Sequence, residues 1–405
     1  MTQPVATRTR LLPTERTSIN LIFLLAGLSF ASWAGRLSVI DDVLGFSGLG
    51  LGSFLLCMTL GTLIGLSIIP TISKYVATKR LLCILPLGLA LCLPVLGVAI
   101  SITQSTWLAY LTLFVNGIIF GCLDIMMNVS GARIERSVGR SLMPSFHGFF
   151  SLGSLLGAGL ATATITMNLP TIWHFALVST LIISFAFVAH LGLSEWENEN
   201  FAERAREKAR GDSKATGNLG LLLLLGLMVA GLSFTEGAAN DWIAVASVSG
   251  HGLEHQDGAL MFTLFVGAMT LGRFLGGLLV DRLGHKFTLL IMGTIGLLGV
   301  VLFIVESNPY FIGLGSAMWG LGSSLGFPVG MSIAASRTER LGPRAVSIIS
   351  AFGYGAMLGG PPLIGLVVDS VGLPQALWIC VTVLIVSLAL TPRVSRGPNA
   401  SGISR

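Results

Sequence analysis

The stretch Gly272-Arg-Phe-Leu-Gly-Gly-Leu-Leu-Val-Asp281-Arg282-Leu-Gly-His285-Lys286 decides how the chain is read. It starts as an apolar, glycine-rich helix and ends in a turn carrying Asp281, Arg282, His285 and Lys286; a second apolar stretch follows at once from Phe287. Two long apolar helices joined by a short charged turn are what a chain needs to cross a hydrocarbon core twice, because about 20 apolar residues span it.

Composition agrees with that reading. Apolar residues make up 53% of the 405, and charged residues only 11%, where soluble proteins carry about 25%. The mean hydropathy is +0.83. Apolar stretches long enough to span occur twelve times, at 17–40, 46–70, 80–101, 106–132, 142–165, 172–194, 218–247, 258–281, 286–306, 309–336, 344–368 and 374–392. None alternates with the period of two that barrel strands require. The expected class is therefore an all-α integral membrane protein lying in the lipid bilayer. Within the eleventh span, Pro361-Pro362 is expected to break or kink the helix.

Basic residues set the expected orientation. The connections at 41–47, 101–106, 166–171, 248–257, 307–308 and 369–373 contain no Lys or Arg, whereas the opposite side collects Lys74, Lys79, Arg80, Arg133, Arg136, Arg140, Arg282, Lys286, Arg337, Arg340 and Arg344. Both termini are expected on the cytoplasmic side. The net charge of +5 follows from this asymmetry and calls for no nucleic-acid partner. Five cysteines, all in apolar stretches and without a C-x-x-C pair, read as small buried hydrophobes.

The chain also repeats itself. Ala26-Gly-Leu-Ser-Phe30 recurs as Ala230-Gly-Leu-Ser-Phe234, and Arg133-Ile-Glu135-Arg136 matches Arg337-Thr-Glu339-Arg340 at the same displacement of 204. Gly153 and Gly157 correspond to Gly355 and Gly359. The expected organisation is a tail at 1–16, a six-helix bundle at 17–194, a charged linker at 195–217, a second bundle at 218–392 and a tail at 393–405. Paired bundles of this kind are common among secondary transporters.

The turn quoted at the start resembles the loop signature G-x-L-x-D-R-x-G-R-K of the major facilitator superfamily, with His285 in place of the first closing basic residue. The matching position of the first half departs further: Gly61-x3-Gly65 is followed by Pro70 where the second half has Asp281. The resemblance implies twelve transmembrane helices in two pseudo-symmetric bundles, a monomer in the bacterial cytoplasmic (inner) membrane, and a cavity lined by spans one, four, seven and ten. It also implies a gating latch in which a helix-end carboxylate meets the N-terminus of a neighbouring helix. Asp281 is the candidate carboxylate, with Arg282, Lys286, Glu135, Arg136, Glu339 and Arg340 as possible members. An anion is favoured at such a helix end; the alternative is that these residues only set topology. The segment from Met127 to Gly153 is similar to that of bacterial fucose-permease-like transporters.

Ionisable groups within spans are costly unless they face protein or water. Arg36, Asp124 and Glu236 lie on spans one, four and seven. Asp124 and Asn128 share a helix face, and the register of the repeat allows Arg36 to pair with Glu236 or Asp241. Glu236 and Asp124 are the candidate proton-coupling residues, a static ion pair being the alternative. Arg36, Trp33, Asn116, Asn128, Asn240, Asp241, Trp319 and Tyr354 are candidates for binding a solute, the aromatic rings by stacking on a sugar or an organic cation. His147 is a candidate pH switch. His251-x3-His255 with Glu254 and Asp257 holds metal-ligand types but reads as a solvated loop; no metal or cofactor is expected.

Absence of a glycine–proline motif in span five weakens a drug-antiporter reading. The chain has no phosphate-binding loop and no nucleophile–base constellation. The expected function is a secondary transporter that moves a small polar, sugar-like solute by alternating access with proton coupling, and not an enzyme. A proton-driven multidrug exporter is the alternative, and a non-transporting membrane sensor a distant one.

Overall fold

A computed structural model describes residues 12–138, 142–194, 219–337 and 342–394. Among them there are helices and no strands, as continuous apolar stretches in lipid require: an isolated strand would leave its backbone groups unbonded. In chain order the helices are α1 (Leu12–Ala34), α2 (Leu37–Leu44), α3 (Gly48–Ile72), α4 (Thr78–Ser101), α5 (Thr106–Val138), α6 (Met143–Thr166) and α7 (Thr171–Gly192). After residues 195–218 come α8 (Leu219–Val245), α9 (His255–Val305), α10 (Pro309–Ser323), α11 (Gly326–Arg337), α12 (Gly342–Val371), the short α13 (Leu373–Ala376) and α14 (Trp378–Val394). A π-helical turn, Ala246–Gly250, ends α8.

Among the described residues, ten helices are long and apolar enough to cross a membrane. Some of the expected spans take a different form. The expected 258–281 and 286–306 run together in α9, divided by Gly284, whose backbone is non-helical at φ 73°. That positive φ is cheap only for glycine, so the helix is interrupted at one residue of the charged turn. The expected 309–336 is split into α10 and α11, and the expected 17–40 breaks at Gly35–Arg36 between α1 and α2. Conversely, α12 continues as helix through Pro361 and Pro362, where a break was expected. A proline removes one N–H, and neighbouring groups in a membrane protein can re-satisfy what it frees.

The chain forms two compact units. One comprises residues up to Gly45 together with Cys57–Ala202; the other comprises Phe46–Leu56 and the chain from Glu203 onward. The first turns of α3 group with the second unit.

Within the first unit the packing rests on bare backbone. A Cβ at Gly153 would lie 1.9 Å from the carbonyl oxygen of Leu24, and one at Gly27 would lie 2.0 Å from that of Phe150. Helices α1 and α6 thus touch backbone to backbone. Gly61 and Gly65 of α3 meet Gly117 and Gly121 of α5 in the same manner: a Cβ on Gly65 would be 2.2 Å from the Ile118 carbonyl oxygen. Small residues four apart allow this approach, which is how helices associate where lipid removes the hydrophobic drive. The first-half glycine pair that resembles the loop signature is therefore a packing stripe. In the second unit Gly299 of α9 and Gly315 of α10 play the corresponding part.

Candidate functional site

Helix α8 is apolar for its first half and then presents Ser233, Thr235, Glu236 and Asn240, all buried. Glu236 Oε1 accepts a hydrogen bond from Arg273 Nη2 of α9 at 2.7 Å, and their side chains are 7% and 19% exposed. Asn240 Nδ2 donates back to the Glu236 carbonyl at 3.0 Å, the i to i−4 contact of one helical turn. Asp241, half-buried, follows on the same helix. The result is a charge-assisted pair enclosed by protein, stronger than a neutral hydrogen bond and costly to break from one side.

This arrangement replaces the expected Arg36 partnership. Arg36 Nη1 donates to Thr171 Oγ1 at 3.0 Å, and Nη2 donates to Thr164 Oγ1 at 3.0 Å and to the Leu169 carbonyl at 2.8 Å. Both charged groups thus find their partners within their own unit. Arg273 is visible in sequence as an arginine inside an apolar span. It received no role there because helical spacing relates residues of one helix, whereas this pair joins two.

In the first unit Asn128 Nδ2 donates to Asp124 Oδ1 at 3.1 Å and to the Asp124 carbonyl at 2.8 Å, as the shared face on α5 requires. Asn116, earlier on the same helix, is buried. Two of the aromatic candidates are enclosed. Trp319 is fully buried, with Phe265 and Phe303 edge-on at 6.1 and 5.9 Å. Trp33 is 1% exposed and stands edge-on to Phe30 at 5.4 Å. Neither ring offers a face for stacking in this conformation, because large rings fill the gaps that small neighbours leave. Tyr354, edge-on to Phe327, is 40% exposed. His147 is exposed, with its ring edge-on to Phe23 at 5.4 Å.

The latch pattern occurs, but on a different carboxylate. Glu135 Oε2 accepts from the backbone N–H groups of Leu142 and Met143 at 2.6 and 2.8 Å, at the start of α6. Asp281 and Arg282 are exposed, and the Lys286 ammonium lies 5.3 Å from the centroid of the Phe287 ring. His285 Nε2 and Ser332 Oγ are 2.9 Å apart. Glu339, Arg340 and the Arg136 side chain lie outside the described residues. A second carboxylate at a helix start is Asp369, which received no role in the sequence reading. Its Oδ1 and Oδ2 accept from Gly48 N at 2.6 Å and Leu49 N at 2.9 Å, at the first turn of α3. Asp369→Ala is expected to destabilise the protein by about 1 kcal/mol and to speed amide exchange at residues 48–51. Unchanged exchange there would show that the cap is not held in the membrane.

A glycine-laced all-helical membrane chain with a repeated sequence and ionisable groups within its spans is the architecture of a solute transporter. Residues 242–403 match the sequence profile of the Major Facilitator Superfamily. An uncharacterised MFS-type transporter of Yersinia pestis is 27% identical over 94% of this chain and 95% of its own length. Membrane protein MosC of Rhizobium meliloti is 26% identical, over 91% of this chain and 88% of that one. Among solved structures, a D-xylose-proton symporter superposes with a TM-score of 0.72 at 14% identity, covering 94% of this chain and 97% of that one. The nucleoside transporter NupG gives 0.65 at 15% identity, covering 96% and 100%. Its second half thus matches the profile of the major facilitator superfamily, and the chain as a whole is similar to MFS-type transporters in sequence and to solved transporters in fold.

Proposed function

We propose that this transporter moves a small polar solute by alternating access, coupled to a proton carried by Glu236, in the bacterial cytoplasmic membrane with both termini cytoplasmic. The observation that carries the reading is the enclosed Glu236–Arg273 pair. A carboxylate can exchange its ion-pair partner for a proton. Protonating Glu236 releases Arg273 from its counter-ion, so one proton changes the bonding of two helices at once. Asn240, bonded to the Glu236 carbonyl, has donors and acceptors that suit a hydroxylated solute, and so does the Asp124–Asn128 face within the first unit. Asp281, Arg282 and Lys286 in the second unit and Glu135 in the first are the gating residues in this reading.

The test is proton movement in proteoliposomes loaded with a pH-sensitive dye, with sugars, polyols, organic acids and lipophilic cations added in turn. Inward proton movement triggered by a polar solute added outside, and abolished by an uncoupler, is the expected result. Outward exchange of protons for lipophilic cations would instead make the protein an exporter. No proton movement with a solute that is demonstrably transported would end the coupling reading.

A further inference from the structure

Arg36 is 2% exposed, yet among the described residues it has no acidic partner: its three bonds go to two threonine hydroxyls and one carbonyl. Among the same residues its Nε–H has no acceptor. The same is true of the indole N–H of Trp33 and the hydroxyl of Ser38, residues that are 1% and 2% exposed. All three orphans lie within six residues, and all three are groups that can donate. They flank the break between α1 and α2, where Arg36 is the N-cap of α2 but no side chain caps that helix. A buried guanidinium without a negative partner is costly, buried donors without acceptors add to that cost, and an uncapped helix start favours an anion. The guanidinium and the indole N–H each need an acceptor, and the Ser38 hydroxyl can donate to one as well.

We propose that the break at Gly35–Arg36 binds one small monovalent anion, a free halide or a short carboxylate, against Arg36 Nε and the start of α2. The anion supplies the charge and the acceptor that the first unit does not provide. This site lies wholly within that unit and does not depend on Glu236 carrying a proton.

The test uses the purified full-length protein in detergent, with the unfolding temperature followed as sodium gluconate, whose bulk excludes it from an enclosed site, is replaced by chloride, bromide or acetate at constant ionic strength. A saturable rise of roughly 3 °C or more is expected for at least one small anion. A rise with chloride and bromide alone assigns the site to halide, and one with acetate alone assigns it to a carboxylate. Arg36→Gln should abolish the rise. Should that variant not fold, Trp33→Phe combined with Ser38→Ala keeps the packing and removes two donors, and should move the midpoint several-fold to higher anion concentration. No anion dependence in the unaltered protein, or the same rise and midpoint in the variants, would overturn the proposal.

Discussion

Replacing Glu236 by glutamine is expected to reduce uphill accumulation of solute to the level of empty vesicles, while exchange of labelled for unlabelled solute continues. Glutamine keeps the shape and a hydrogen-bond acceptor for Arg273 but cannot take up a proton. The change also takes from Arg273 its carboxylate partner, which lies 2.7 Å away in an enclosed place. Removing one member of such a pair costs about 3–5 kcal/mol, so the single variant should also unfold at a lower temperature. The double variant Glu236→Gln/Arg273→Gln separates the two roles. It removes both charges and should recover much of the lost stability, yet accumulation should stay at the background level. If accumulation returned with stability, the pair would be a static brace and the proton would travel elsewhere.

A valine at Gly153 should prevent the first unit from assembling. Its Cβ alone would lie 1.9 Å from the Leu24 carbonyl oxygen and 2.7 Å from the Leu24 carbonyl carbon. These are backbone atoms inside α1, so no side chain can swing aside. The helices must separate, and the loss should exceed the roughly 1–3 kcal/mol usual for overpacking in a yielding core. Size-exclusion chromatography should show aggregated protein in place of a monodisperse peak. Gly159, further along the same helix, has open space within 4 Å of where a Cβ would sit. Gly159→Ala should therefore leave the peak intact and raise stability by up to about 1 kcal/mol, the helix-propensity gain. A monodisperse Gly153→Val protein would mean that α1 and α6 do not meet as described.

Much of this architecture could be read from the residues because membrane-crossing length and lack of charge are properties of single segments. Asp124 with Asn128 was legible for the same reason: both lie on one helix, and spacing alone decides that they meet. The Glu236–Arg273 contact was not, although both residues stood out as charges in apolar surroundings. Which of several charges meet depends on how α8 and α9 are rotated against each other, and apolar stretches without a polar face give no rotation. Trp33 and Trp319 show the opposite failure. Their types suited stacking on a solute, but enclosure by Phe30 in one case, and by Phe265 and Phe303 in the other, is a matter of packing depth. The helix-start contacts of Glu135 and Asp369 join positions 7 and 321 apart in the chain; only the nearer one lay within reach of local pattern reading.

How far along the chain each buried charge finds its contacts bears on how the polypeptide is made. The three bonds that Arg36 makes go to residues 128 to 135 positions downstream, and Glu236 meets Arg273 37 positions downstream. A ribosome feeding this chain into the bilayer would expose the Glu236 charge only for the time needed to deliver the next helix. Arg36 would wait longer, until α6 and α7 had arrived. The early arginine is thus the one that needs shelter by the insertion machinery, and a stalled chain ending shortly before Thr164 should be the intermediate most readily marked for destruction.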